Sequence, residues 1–233
     1  MKKIHYTITE QSENVSGVSP DSSLCLNELS HNLEPVINFI DEKYIYTKCP
    51  VWSHKAKRTY VMRCPFDFEF RMSTNGADPV ISPRDDFVYF DPGWDNLNPV
   101  LQLCMPVLFA WTKEKNIWID IQPTPYTALK NNFVVIGGQW NLSRWTRPIS
   151  FGIQVVDSNR NVKVKRGDAI YYVSFRSDDP NEIFSLIREN HIPEDILRES
   201  SQRTGLKKFI PGLSTKYLFE RQNSKCPFKF IRR

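Results

Sequence analysis

The chain has 233 residues and a net charge of +5, with a hydrophobic fraction of 40% and a charged fraction of 24%. These values exclude a disordered or collagen-like chain and fit one large domain or one domain with appendages. Aromatics at 13%, with 16 prolines against 9 glycines, lean towards β structure, and five cysteines without a C-x-x-C pair predict reduced thiols, not a disulfide framework.

Met1-Lys-Lys-Ile-His-Tyr-Thr-Ile8 lacks the hydrophobic core region of a signal sequence, so a soluble intracellular chain is expected. From Lys3 to Thr9, Ile4, Tyr6 and Ile8 alternate with His5, Thr7 and Thr9, which predicts a first strand. Residues 10–32 are polar and rich in Ser and Asn; they predict a long surface connection with a helical turn near Leu24 to Leu29. Tyr44 to Thr47 and Arg58 to Arg63 are predicted strands, joined by an irregular Cys49-Pro-Val-Trp-Ser-His-Lys-Ala-Lys-Arg58. Phe66-Asp-Phe-Glu-Phe-Arg-Met72 is the clearest alternation, with one apolar face and one charged face, as in an antiparallel sheet. Asn75-Gly76 predicts a tight turn returning through Val80-Ile81.

A short strand is predicted at Phe87 to Phe90. Val100 to Trp111 reads as one buried strand or two bent at Pro106, and it is too short to span a bilayer. Ile117 to Ile121 is a further strand. From Phe133 to Arg176, three β-type runs punctuated by Gly137-Gly138, Asn159-Arg-Asn161 and Arg166-Gly-Asp168 predict an antiparallel meander. Arg166-Gly-Asp168 reads as a hairpin turn, not an adhesion signal. Asp179-Pro-Asn-Glu182 resembles a helix start, and Pro193-Glu-Asp195 a second, with Gly205 as its stop. The predicted organisation is therefore a β domain over 1–178, a helical pair over 179–205 and a basic tail over 206–233.

No catalytic constellation stands out. None of His5, His31, His54 and His191 sits in a His-x-Asp or His-x-Glu pair, and the cysteines are too scattered for structural zinc. No nucleophile elbow or phosphate loop occurs, so no metal and no cofactor is expected. The adjacent acids Asp85-Asp86 and Asp178-Asp179 read as turn and cap residues. Two segments interleave cations with aromatics: Trp52, His54, Lys55 and Arg58, and Trp140, Arg144, Trp145 and Arg147. Such mixtures stack rings and contact phosphates, or equally bury the rings while the cations reach water.

Lys48-Cys-Pro-Val-Trp52, the Arg58-to-Met72 strand pair and Lys165-Arg-Gly-Asp-Ala-Ile-Tyr-Tyr-Val-Ser-Phe175 resemble uncharacterised proteins of large tailed, T4-like marine bacteriophages. That resemblance implies a setting in the cytoplasm of an infected host or in a virion, and no assigned reaction. The expectation is an antiparallel β-sandwich of jelly-roll type with a short C-terminal helical pair. Its expected role is non-enzymatic binding or assembly, with a protein partner or self-assembly and no membrane contact, and with the eight basic and aromatic residues as the binding site. The alternatives are a cupin-like metal-dependent enzyme using histidines such as His5 and His54, or a protein that binds single-stranded nucleic acid.

Overall fold

The computed structural model describes residues 1–9, 31–39, 48–73, 76–81, 88–89, 100–125 and 127–209. The expected strand at Tyr44 to Thr47, most of the 10–32 connection and most of the basic tail lie outside these residues. The described chain is mainly β, an antiparallel sandwich of jelly-roll type with few helices.

One sheet runs β14 (Phe184–Arg188), β1 (Lys2–Thr9), β7 (Val100–Trp111), β11 (Arg147–Val155), β9 (Phe133–Val135), with β6 (Val88–Tyr89) also paired to β7. The second runs β10 (Gly138–Asn141), β8 (Trp118–Pro123), β13 (Ala169–Arg176), β3 (Thr59–Arg63), β2 (Glu34–Pro35). A third, small sheet joins β12 (Val162–Val164) to the hairpin of β4 (Phe68–Ser73) and β5 (Gly76–Ile81). That hairpin is the one expected from Asn75-Gly76, and Ser73 faces Gly76 across it.

The alternation read in the sequence builds the core between the layers. Ile4, Tyr6 and Ile8 of β1, Phe68 and Phe70 of β4, and Ile119 and Ile121 of β8 all enter one apolar cluster. So do Tyr171, Val173 and Phe175 of β13. Full burial of each large side chain contributes about 1.5–3 kcal/mol, so this cluster dominates stability.

β7 resolves the ambiguity at Pro106. It is one strand, but its inward residues are Leu101 and Leu103 before the proline and Leu108 and Ala110 after it. The phase flips because β11 pairs Phe151 with Leu103 and then Ile149 with Leu108, a bulge centred on the segment that holds Pro106. Proline has no N–H for the ladder, and a bulge is where a central strand tolerates it.

Two expectations are corrected. Phe133 to Arg176 is not a meander: β9 and β11 lie in the first sheet, β10 and β13 in the second, and β12 in the third. The chain crosses between layers at almost every turn. The helical pair is a single helix, because Phe184–Arg188 extends beside β1 as a parallel strand. The helix-start signal at Asp179 closes a turn: its Oδ1 accepts from the amide of Asn181 at 2.7 Å, and its carbonyl accepts from the amide of Glu182 at 3.2 Å.

The helix α4 (Glu194–Phe209) runs through Gly205 and covers the outer face of the first sheet, where Ile196 meets Phe109 and Trp111. On the second sheet, α1 (Val36–Phe39) and α2 (Pro50–Ala56) pack Val36 and Ala56 on Val61 and Tyr172. α2 was expected to be irregular chain; Pro50 at its first turn starts it. A short helix, α3 (Thr127–Lys130), precedes β9. Among the described residues no helix is long and apolar enough to cross a membrane.

Candidate functional site

The outward face of the second sheet is polar along β8 and β13. Because side chains alternate along a strand, β8 turns Ile119 and Ile121 inward and Trp118, Asp120 and Gln122 outward. β13 likewise turns Ser174 and Arg176 outward. Register then aligns them: Gln139 of β10 faces Asp120, Asp120 faces Ser174, and Ser174 faces Thr59 of β3. A polar row of Gln139, Asp120, Ser174 and Thr59 thus crosses four strands.

This row is the floor of a cleft of about 540 Å³. One wall is the end of α2 and the turn after it, carrying His54, Lys55 and Arg58. The other is the 177–182 turn, with Asp178, Asp179 and Glu182. A second lobe of about 550 Å³ adjoins it, lined by Trp118, Gln139, Arg176, Ser177 and Asp178.

The acids of the second wall are held by neighbours outside the cleft. Glu182 faces Lys2 at 3.5 Å, Asp178 accepts from Asn116 Nδ2 at 3.0 Å, and Asp179 accepts from the amide of Asn181. Among the described residues, His54, Lys55 and Arg58 form no ion pair. The cleft therefore sets Lys55 and Arg58 on one wall against Asp178, Asp179 and Glu182 on the other, with Asp120 on the floor between them. On the floor, Gln122 Nε2 donates to Asp120 Oδ2 at 2.5 Å and lies 3.4 Å from Ser174 Oγ. These contacts orient the Asp120 carboxylate. Among the described residues no three of His, Cys, Asp and Glu come together to hold a metal ion.

Of the eight residues expected to bind, His54, Lys55 and Arg58 reach this cleft. Trp52 belongs to the other side of α2, packed against the cluster of Val36, Ala56, Val61 and Tyr172. The Trp140-to-Arg147 set does not line this cleft and packs largely into the fold. Trp145 is 5% and Arg144 8% exposed, and the Trp140 indole donates to the Trp145 carbonyl at 2.9 Å. The Arg147 guanidinium lies 4.7 Å from the centre of the Trp145 ring, and burial pulls its pKa down. Of the two basic-aromatic segments, only the first therefore lines this cleft. The dispersed histidine site fails as well. His5 points from the first sheet to Glu189 at 2.7 Å and stacks on Trp111, across the sandwich from His54.

Sequence reading missed Asp120, Gln122, Gln139, Ser174 and Arg176. Their signal was available in part: Trp118-Ile-Asp-Ile-Gln122 alternates, with a carboxylate at the centre of its wet face.

No family model and no curated protein matches the chain. Solved structures do. One is the native EIAV dUTPase, 14% identical at a TM-score of 0.32, with 58% of this chain and 87% of that chain covered. Two are mutants of the Staphylococcus bacteriophage 80alpha dUTPase. The one with dUpNHpp is 8% identical at a TM-score of 0.36, covering 72% and 89% of the two chains. The other is 7% identical at 0.35, covering 72% and 95%. Likeness at this level transfers no residue and no activity. The expectation of a non-enzymatic binding or assembly protein is corrected: the solved structures that the chain matches are dUTPases.

Proposed function

We propose that the protein is a hydrolase of small phosphorylated compounds, with the cleft over β8 and β13 as its active site. The observation that carries this is an oriented carboxylate, Asp120, on the floor of a cleft whose wall carries Lys55 and Arg58. His54, Lys55 and Arg58 would hold the phosphoryl oxygens and stabilise the charge that develops on them. Asp120 would take a proton from water as the water oxygen bonds to phosphorus; the bond to the leaving oxygen breaks, and that oxygen receives a proton in return. Gln122 fixes the direction in which the carboxylate acts. In the infected cell that the phage resemblance implies, the substrates would come from the host pool of phosphorylated metabolites.

The test is release of phosphate or pyrophosphate from a panel of nucleotides, sugar phosphates and an aryl phosphate, with and without magnesium. Asp120→Asn should lower turnover by about 10²–10⁴-fold while binding persists. The paired Lys55→Ala, Arg58→Ala variant should weaken binding. A wild-type protein that neither binds nor turns over any member of the panel overturns the proposal.

A further inference from the structure

The cleft is divided. Arg176 extends from β13 and donates through a guanidinium N–H to Gln139 Oε1 on β10 at 2.5 Å. The strand between them is β8, so this bridge crosses the sheet's outer face over β8. Arg176 faces Trp118 in register, whereas Gln139 faces Asp120. The bridge therefore runs diagonally between the two side chains and separates the lobe under α2 from the lobe that holds Trp118. Arg176, Gln139, Ser177 and Asp178 line both lobes, so they are one continuous cleft with a bar across it.

The two lobes differ in chemistry. One carries His54, Lys55 and Arg58 above Asp120. The other offers a half-buried indole beside the Arg176 guanidinium, the Gln139 amide and the Asp178 carboxylate. Aromatic and guanidinium faces hold flat π-systems, while an amide and a carboxylate beside them satisfy ring N–H and C=O groups. We infer that the Trp118 lobe is a ring subsite, and that the substrates are phosphate esters carrying a planar heterocycle, not plain sugar phosphates. The phosphate lies under α2, and the connecting atoms pass the Gln139–Arg176 bridge. This rests on the phosphate-binding reading of the lobe under α2.

Isothermal titration with inorganic phosphate, ribose 5-phosphate and a nucleoside monophosphate tests it. The wild type should bind the nucleotide about tenfold more tightly than ribose 5-phosphate, the scale of one base stacked on an aromatic ring. Equal affinities overturn the ring subsite without involving any variant. Trp118→Ala should erase the preference and leave ribose 5-phosphate affinity unchanged, and Trp118→Phe should restore most of it. Arg58→Ala should weaken all ligands together. If Trp118→Ala weakens ribose 5-phosphate as much as the nucleotide, or changes neither, the subsite is wrong while the phosphate reading stands on Arg58→Ala. If nothing binds the wild type, both fall.

Discussion

Asp168 ties three parts of the fold together, and removing its carboxylate tests whether the Arg166-Gly-Asp168 turn is structural. The turn closes with the Asp168 amide donating to the Lys165 carbonyl at 3.0 Å, and Gly167 occupies φ +87°. The carboxylate then accepts from the Lys165 amide at 3.0 Å, from Asn131 Nδ2 at 3.1 Å and from Lys130 Nζ at 2.5 Å. Hydrogen bonds to a charged partner contribute about 1.5–3 kcal/mol each, and the Lys165 amide and the buried Asn131 qualify. Lys130 is 63% exposed, so its ion pair adds only about 0–1 kcal/mol. Because Asn131 keeps its bond to the Lys163 carbonyl, Asp168→Ala should cost about 3 kcal/mol, or roughly 6–12 °C in Tm for a chain of this size. Urea unfolding should show a lower midpoint with an unchanged slope. The pH dependence has a definite sign. Burial alone would raise the Asp168 pKa, but the hydrogen bonds from Lys130, Lys165 and Asn131 outweigh it and hold the pKa below the ordinary value. The stabilisation is therefore complete above the unfolded pKa, about 3.9, and is lost as pH falls through the lower folded value. The gap between wild type and Asp168→Ala should be full at pH 7 and shrink below about pH 4. A variant within about 1 kcal/mol of wild type at pH 7, or a gap that does not narrow in acid, refutes this account.

Three further outcomes follow from single positions. Gly137→Ala should be destabilising in thermal melts, because a Cβ there would sit 2.7 Å from the Ile121 carbonyl oxygen, which is backbone and cannot move aside. Tyr171→Phe should be neutral, or stabilising by up to about 1 kcal/mol, since the fully buried hydroxyl has no hydrogen-bond partner among the described residues; a loss above that would reveal a missing partner. Cys64 is buried and its thiol is pushed up to about 12, chiefly by burial, whereas Cys49 is exposed. Mass mapping after brief alkylation of the native protein at pH 8 should find Cys49 modified and Cys64 intact; equal labelling would show that β3 opens readily.

What was legible in the sequence was whatever its own neighbours determine. The alternation at Phe66 to Met72 and at Lys3 to Thr9 marks strands because period two is a local property. β14 was not legible for the opposite reason. Asp179-Pro180 carries helix-start residues that a turn uses equally well, and what makes Phe184–Arg188 extended is pairing with Lys2 to Tyr6 at the far end of the chain. α2 was hidden by the Cys-Pro that opens it, since a proline reads as a strand edge as readily as a first helical turn.

The same limit explains why the site was half seen. An arginine next to a tryptophan in sequence suggests a surface ready for a ligand, but Arg147 has already spent its guanidinium on the Trp145 ring. His54, Lys55 and Arg58 line the cleft because the end of α2 and the turn after it carry them away from the apolar side that holds Trp52 and Ala56. The floor beneath them comes from Thr59, Asp120, Gln139 and Ser174, on four strands far apart in the chain. Each of these is an unremarkable polar residue on a wet strand face. Only the order β10-β8-β13-β3 puts the carboxylate in the middle of the row, and that order is a consequence of the crossings between layers that local pattern does not record.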